Sequence, residues 1–197
     1  MRKALLALGA VALVVVVVVG LRQADDGDPA AGAPVRPLTL AEVSRPLPAD
    51  APAKLAALHE RVNELVPGGK RALEAQLRAL RGHPVVVNLW ASWCGPCRNE
   101  LPYLQRQAVK RAGKVAFLGV NSNDSDEAAR RLAARYPMPY PSFVDPRMNV
   151  AGGYGARGLP VTAFYDARGK RVLVHQGEIR SEAQLAEEID RYALGRG

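Results

Sequence analysis

The stretch PVVVNLWASWCGPCR, residues 84–98, is the most informative part of this chain for predicting its fold. Its first part, residues 84–90, is short, apolar and β-branched, which is typical of a strand buried in the middle of a sheet. The only two cysteines of the chain, Cys94 and Cys97, follow at once with a glycine and a proline between them. A helix is predicted from about residue 95 to residue 112. The cysteine pair therefore joins a buried strand to a helix.

Three explanations of the cysteine pair compete. A structural zinc site needs four ligands, but the chain has no second cysteine pair, and His59, His83 and His175 fall in different predicted elements. A metal centre is therefore disfavoured, and we expect neither a metal nor another cofactor. A disulfide that closes so small a loop would restrain the unfolded chain very little. The pattern favours a redox-active pair.

The predicted position of the pair supports redox chemistry. Cys94 would lie at the N-terminus of the helix, where free N–H groups and the helix dipole stabilise a thiolate and lower the pKa of the thiol. Cys97 would lie one turn inside the helix, more buried and close enough to bond to Cys94. Pro96 fits the first turn, where a missing N–H is tolerated. Trp90 and Trp93 flank the pair, and Trp93 could offer an apolar surface to a polypeptide.

Two segments resemble one known family. VVVNLWASWCGPCRNELPYL is similar to the active-site segment of the membrane-anchored thioredoxin-like proteins of the TlpA/ResA/DsbE (CcmG) group, and GLPVTAFYDARGK is similar to their later cis-proline segment. Together with the order of strands and helices, the resemblance covers roughly residues 80–195. It implies an α/β, thioredoxin-like fold with a mixed central sheet flanked by helices, and the activity of a thiol–disulfide oxidoreductase.

The resemblance also implies roles for particular residues. Cys94 would be the nucleophile and Cys97 the resolving thiol. Pro160 would be a cis-proline that faces the disulfide, although from the residues alone the Leu159–Pro160 bond could equally be a trans strand start. Leu159 would pair with the substrate chain as an added strand. The residues expected to contact substrate are Trp93, Gly95, Pro96 and Leu159.

Glu100 matches an acidic residue that the family links to proton traffic at the cysteines. From the residues alone, a surface glutamate in a helix is the simpler interpretation. Asn88 lies where cytoplasmic thioredoxins carry a buried aspartate, and this departure moves the expected proton-handling role to Glu100.

The N-terminus predicts a membrane anchor. Arg2 and Lys3 precede residues 4–21, which contain no charge and are just long enough to span a bilayer. The preceding positive charges predict a single-pass protein of the cell membrane with an extracytoplasmic catalytic domain. A cleaved signal peptide is the alternative, although no convincing cleavage site follows. Residues 22–49, rich in Pro, Ala, Gly and Asp, predict a flexible linker.

The folded domain is predicted to cover residues 50–197. It starts with a helical extension, residues 50–82, where many relatives have a strand hairpin. Leucines and Val62 recur at helical spacing from Leu55 to Leu65 and predict a first helix that ends at the PGG of residues 67–69; a second helix carries Leu73. Further along, strands are predicted at 114–121, 142–145, 160–166 and 171–177, and helices or turns at 125–136, 146–156 and 181–194.

The leading functional hypothesis is an extracytoplasmic reductase of disulfides in exported proteins. Alternatives are a disulfide-forming oxidant of the same fold, a thioredoxin-fold peroxidase and a non-catalytic docking module. The family implies apocytochrome c or another exported cysteine protein as substrate and a membrane electron donor of the DsbD or CcdA kind. The net charge of +8 is spread over helix faces without an aromatic-rich basic stripe, so we expect no nucleic-acid partner. Residues 123–125 match a glycosylation pattern that is too short to carry weight.

Overall fold

The computed structural model describes residues 35–196. The predicted anchor at residues 1–21 and most of the first half of the predicted linker lie outside the described residues. Within residues 35–196, no helix is both long enough and apolar enough to cross a membrane.

The elements follow the predicted alternation of strands and helices. The described helices are α1 (Leu40–Val43), α2 (Ala53–His59), α3 (Gly69–Ala79), α4 (Gly95–Lys110), α5 (Asp126–Arg135), α6 (Asn149–Gly153) and α7 (Glu182–Glu188), which continues as a π-helical turn (Ile189–Ala193). The described strands are β1 (Leu65–Val66), β2 (Val85–Trp90), β3 (Ala116–Ser122), β4 (Ser142–Asp145), β5 (Val161–Tyr165) and β6 (Arg171–Gln176).

The six strands form one mixed sheet in the order β1-β4-β3-β2-β5-β6. The first four strands of this order run parallel, whereas β5 is antiparallel to β2 and β6 is antiparallel to β5. The predicted mixed central sheet is confirmed. Because β5 runs opposite to β2, the beginning of β5 lies at the same edge of the sheet as the end of β2. The cysteines follow β2 at this edge.

Strand β2 lies in the middle of the sheet because both of its faces are apolar. Val86 and Trp90 pack into one buried cluster with residues of α4, α5 and α7. Val87 and Leu89 point the other way, into a second cluster with residues of α2, α3 and α6. Asn88 has the same parity as Val86 and therefore faces the α4 side, where it is buried. The sheet is thus covered by helices on both faces, and α4 is fixed over β2.

The first predicted helix of the extension ends earlier than the sequence pattern predicts. Helix α2 ends at His59, and Leu65 belongs to β1, which pairs in parallel with β4. The break is at Asn63, whose backbone is left-handed at φ 59°. Its main-chain N–H donates to Met138 O at 2.8 Å, and its side chain accepts from Met138 N at 3.0 Å. These contacts turn the chain into the sheet, so the apolar residues that follow are buried in a strand instead of a helix.

The prediction of a flexible linker up to residue 49 is wrong for its second half. From Arg36 onward the chain belongs to the same compact unit as the rest of the domain. Helix α1 begins with a capping box, in which the side chains of Thr39 and Glu42 each accept a hydrogen bond from the other residue's backbone N–H group. Val43, in the same helix, is buried. A four-residue helix is too short to produce an apolar periodicity, so the sequence pattern gave no sign of it.

Candidate active site

The cysteine pair lies where β2 passes into α4. Cys94 is the N-cap residue of α4, and its Sγ accepts a hydrogen bond from the backbone N–H of Cys97 at 3.2 Å. The two cysteines are joined by a disulfide. Cys94 is 3% exposed and Cys97 is fully buried, so the order of exposure agrees with the prediction. When the disulfide is reduced, the free N–H groups of the first turn stabilise negative charge on the Cys94 sulfur.

The predicted cis-proline is confirmed as a geometry: the peptide bond between Leu159 and Pro160 is cis. Pro160 directly precedes β5, and the first residue of β5, Val161, is paired with Leu89 near the end of β2. The antiparallel pairing therefore brings Pro160 to the edge of the sheet that carries the cysteines. Leu159 is half-buried beside it, so part of this residue remains accessible.

The residues expected to contact substrate form an open surface. Trp93 is 57% exposed, and its indole N–H donates to the carbonyl oxygen of Asn123 at 2.8 Å. Pro96 is exposed and Gly95 is half-buried. A cavity of about 630 Å³ opens near the ends of β1 and β4, but neither cysteine lines it. The disulfide therefore lies under an exposed surface and not in that cavity.

Glu100 is fully buried, so the interpretation as a surface residue is wrong. Its Oε1 accepts from Asn88 Nδ2 at 2.7 Å, and its Oε2 accepts from the backbone N–H of Ile179 at 2.9 Å. Burial raises the pKa of Glu100 to about 8, although both hydrogen bonds favour the carboxylate; the nearby carboxylates of Glu178 and Glu188 raise the pKa further. Glu100 is thus a carboxyl group that can hold a proton at neutral pH.

The position of Glu100 links it to the cysteines. It lies three residues after Cys97 on α4, so the two side chains share one face of the helix. Asn88 also donates to the hydroxyl of Thr162 at 3.1 Å, and its Oδ1 is buried without a hydrogen-bond partner among the described residues. Thr162 comes two residues after Pro160. Polar side chains of β2, β5 and α4 therefore meet in the buried layer between the sheet and α4, the helix that carries Cys97.

Sequence reasoning missed a second polar cluster, which surrounds Ser92, two residues before Cys94 in the chain. The Asp124 carboxylate accepts hydrogen bonds from the backbone N–H and the hydroxyl of Ser92, at 2.6 Å and 2.7 Å. Arg98 donates to the carbonyl oxygen of Ser92 at 2.8 Å. Ser92 and Asp124 each follow the carboxyl end of a strand, and these two strands, β2 and β3, are parallel neighbours. The carboxyl ends of neighbouring parallel strands lie at the same edge of a sheet. This rule is the signal by which the sequence could have indicated the cluster.

The described residues contain no cluster of three or more His, Cys, Asp or Glu side chains arranged to hold a metal ion. The ring of His59 bonds the carbonyl oxygen of Arg45, and the ring of His175 lies 3.0 Å from a carboxylate oxygen of Glu188. Each of these two histidines therefore makes its own separate contact. Both residues are distant from the cysteines in the sequence.

Comparison with known proteins agrees with this arrangement. The family model described as AhpC/TSA matches residues 63–180. The thiol-disulfide oxidoreductase ResA of Halalkalibacterium halodurans is 34% identical over 116 residues, which is 58% of this chain and 64% of that protein. ResA of Bacillus thuringiensis is 30% identical over 118 residues, which is 59% of this chain and 65% of that protein. The chain thus matches less than two thirds of the length of these relatives.

Among solved structures, a putative thiol:disulfide interchange protein DsbE from Chlorobium tepidum is similar, with a TM-score of 0.54 and 29% identity. The match covers 57% of this chain and 82% of that chain. The family match over residues 63–180 includes the segment that carries the cysteines. The thioredoxin-like fold implied by the sequence resemblance is therefore confirmed.

Proposed function

Because the chain belongs to the AhpC/TSA family, we propose that it is a thiol–disulfide oxidoreductase that reduces disulfides in exported proteins. The observation that carries the proposal is the Cys94–Cys97 disulfide at the N-terminus of α4, at the same sheet edge as the cis peptide before Pro160. The names of the ResA and DsbE relatives support the same chemistry.

The reaction proceeds by two exchanges. The Cys94 thiolate attacks one sulfur of the substrate disulfide, and the other substrate sulfur leaves as a thiolate that takes up a proton. The Cys97 thiol then loses its proton, and its sulfur attacks Cys94 of the mixed disulfide. This releases the second substrate thiol and leaves the Cys94–Cys97 disulfide. Two electrons pass from the cysteine pair to the substrate.

Glu100 is the group that exchanges a proton with Cys97 in this scheme. Its pKa of about 8 lies close to neutral pH, so Glu100 can both take up and release a proton there. Asn88 cannot accept this proton, because an amide is not a base at these pH values. The shared helix face of Cys97 and Glu100 supports the assignment.

The substrate is a protein chain and not a small molecule. The disulfide lies under an open surface with Trp93 and Pro96 exposed, and it is outside the cavity near β1 and β4. The accessible part of Leu159 is placed to pair with an extended substrate segment. We retain apocytochrome c, or another exported cysteine protein, as the substrate that the family resemblance implies.

The proposed direction is reduction. The dipeptide between the cysteines is Gly-Pro, as in reducing thioredoxins, and it contains no histidine to stabilise a thiolate. Thioredoxin has a potential near −270 mV and DsbA near −120 mV, and we place this protein towards the thioredoxin end. A reductase outside the cytoplasm needs electrons from the membrane, so we propose a donor of the DsbD or CcdA kind.

Three measurements on the full-length protein test the function. Equilibration with glutathione or dithiothreitol buffers gives the reduction potential, and a value near that of DsbA would contradict a reductase. Assays of insulin reduction and of peroxide consumption separate an oxidoreductase from a peroxidase. Cys97→Ser should accumulate long-lived mixed disulfides that identify the substrate, whereas the matched Cys94→Ser variant should form none. A protein that catalyses none of these reactions would be a docking module.

A further inference from the structure

The Asp124 carboxylate has every acceptor position in use. Its Oδ1 accepts from the Ser92 hydroxyl at 2.7 Å and from the Ser125 backbone N–H at 2.9 Å. Its Oδ2 accepts from the Ser92 backbone N–H at 2.6 Å and from Asn121 Nδ2 at 2.8 Å. A carboxylate offers about four lone-pair sites, so this side chain is saturated. Two of the four donors belong to Ser92, which lies outside the turn that follows β3. This half-buried carboxylate therefore does more than stabilise its own turn.

Ser92 is held at all of its polar groups. Its backbone N–H and hydroxyl bind Asp124, and its carbonyl oxygen accepts from Arg98 on the first turn of α4 at 2.8 Å. Ser92 lies two residues before Cys94. The backbone N–H of Cys94 in turn donates to Ala91 O at 3.2 Å. The path of the chain into the N-cap position is therefore fixed from the loop that follows β3.

The same loop holds the exposed indole next to the disulfide. Asn123, with φ 51°, presents its carbonyl oxygen to the indole N–H of Trp93 at 2.8 Å. Asp124 and Ser125 follow directly, and the Ser125 hydroxyl caps α5 by accepting from Ala128 N at 3.2 Å. The stretch of residues 123–125, which matched a glycosylation pattern by chance, thus holds both Ser92 and Trp93, the two residues directly before Cys94.

We propose that Asp124 is a positioning residue for thiol–disulfide exchange: through Ser92 it sets the Cys94 sulfur on the N-terminus of α4, and it fixes the loop whose Asn123 carbonyl holds Trp93. This inference rests on the proposed function, in which Cys94 is the nucleophile. The carboxylate acts through the chain and touches neither the sulfur atoms nor the substrate.

An amide cannot replace this carboxylate. In Asp124→Asn, one oxygen becomes an NH₂ group. If it replaces Oδ1, it faces the Ser125 backbone N–H, and if it replaces Oδ2, it faces the Ser92 backbone N–H. A backbone N–H cannot turn round to accept, so either orientation leaves one backbone donor facing the NH₂ group and loosens the loop. The Cys94 sulfur then loses part of its alignment with the N–H groups of α4, and its thiolate is less favoured.

The test is the pH dependence of alkylation of Cys94 in the reduced full-length protein. Asp124→Asn should raise the titration midpoint and slow alkylation by about threefold to tenfold at pH values below that midpoint, where the thiolate fraction falls tenfold for each unit that the midpoint rises. The matched control is Asp166→Asn. Asp166 accepts from the Lys170 backbone N–H at 2.9 Å in the turn after β5, at the end of this strand away from Pro160. The control should leave the midpoint unchanged.

An unchanged midpoint in Asp124→Asn would overturn the proposal, even if the variant melts at a lower temperature. If this variant does not fold, Ser92→Ala provides the test. It removes the hydrogen bond from the Ser92 hydroxyl to Asp124 and keeps the one from the Ser92 backbone N–H. A smaller shift in the same direction supports the proposal, and no shift overturns it. Alkylation does not depend on reduction of a protein substrate. A wild-type chain that fails to reduce insulin would therefore contradict the proposed function and leave this readout intact.

Discussion

At the residue scale, Cys94 is positioned by the residues next to it in the chain, whereas Glu100 is held by residues of other elements. The position of Cys94 at the start of a helix follows from local pattern alone, since a strand, a Gly-Pro pair and a helical segment succeed one another. The burial of Glu100 does not follow from local pattern. One of its two hydrogen bonds comes from Ile179, 79 residues later in the chain. Long-range packing of this kind leaves no signal in the residues around a glutamate.

The raised pKa of Glu100 makes the stability of the fold depend on pH. A glutamate in the unfolded chain loses its proton near pH 4.5, whereas Glu100 in the folded protein keeps it to about pH 8. Between these values the folded state binds one more proton, so its contribution to stability is full below about pH 4.5 and falls as pH rises to about 8. Glu100→Gln should lack this fall. The unfolding free energy of the variant should gain roughly 1.4 kcal/mol per pH unit relative to wild type across the window.

Denaturant unfolding at a series of pH values checks this expectation. The exchange reaction supplies a second readout, because the pH profile of the wild type should contain a transition near that of Glu100 and the profile of Glu100→Gln should lack it. Glu178→Gln is a matched comparison: the charge of Glu178 raises the pKa of Glu100, so this variant should keep the fall in stability but end it at a lower pH. Parallel stability curves for wild type and Glu100→Gln would mean that Glu100 is ionised throughout.

At the scale of elements, the pattern of apolar residues predicted the elements that are long or buried and missed those that are very short. Strand β2 and helix α4 were predicted within two residues, because several apolar residues repeat in each. Strand β1 has two residues and helix α1 has four, which is too few to show a period. Both depend on contacts with distant parts of the chain: Asn63, just before β1, bonds Met138, and Leu38, just before α1, bonds Gln105 on α4.

Gln105 helps to attach the segment of residues 36–43 to the domain, together with Arg106, which donates to Arg36 O. The Oε1 of Gln105 accepts from Leu38 N at 2.9 Å, and its Nε2 donates to Leu38 O at 3.3 Å and to Pro137 O at 2.7 Å. Gln105→Ala leaves these groups without partners, so the unfolding free energy should fall by about 1–3 kcal/mol. The segment should also detach, and a glutamate-specific protease should cleave after Glu42 several times faster.

Helix α4 offers the control for this experiment. The side chain of Gln107 bonds Glu182 at 2.8 Å, so Gln107→Ala removes an amide from the same helix without touching the segment. We expect this variant to lose stability but not to cleave faster after Glu42. Equal cleavage rates in wild type and Gln105→Ala would mean that other contacts, such as buried Val43, hold the segment.

At the scale of the whole molecule, the chain between the apolar run and the folded domain is shorter than composition indicated. Residues 36–49 belong to the domain, so the candidate tether is reduced from residues 22–49 to residues 22–35. Fourteen residues reach at most about 50 Å when fully extended. If residues 4–21 span a membrane, this reach is the upper limit on the distance between the bilayer surface and the first residue of the domain.

The anchor itself is tested by where the full-length chain is recovered. Residues 4–21 carry no charge, so the protein should sediment with membranes and remain there after a high-salt wash. Substituting Asp at both Val15 and Val17 places two charges in the middle of the run, at about 2.5–3.5 kcal/mol each, and should release the protein. The same two substitutions at Ala30 and Ala31, in the tether, should leave it bound. A soluble wild-type chain that begins after residue 21 would identify a cleaved signal peptide instead.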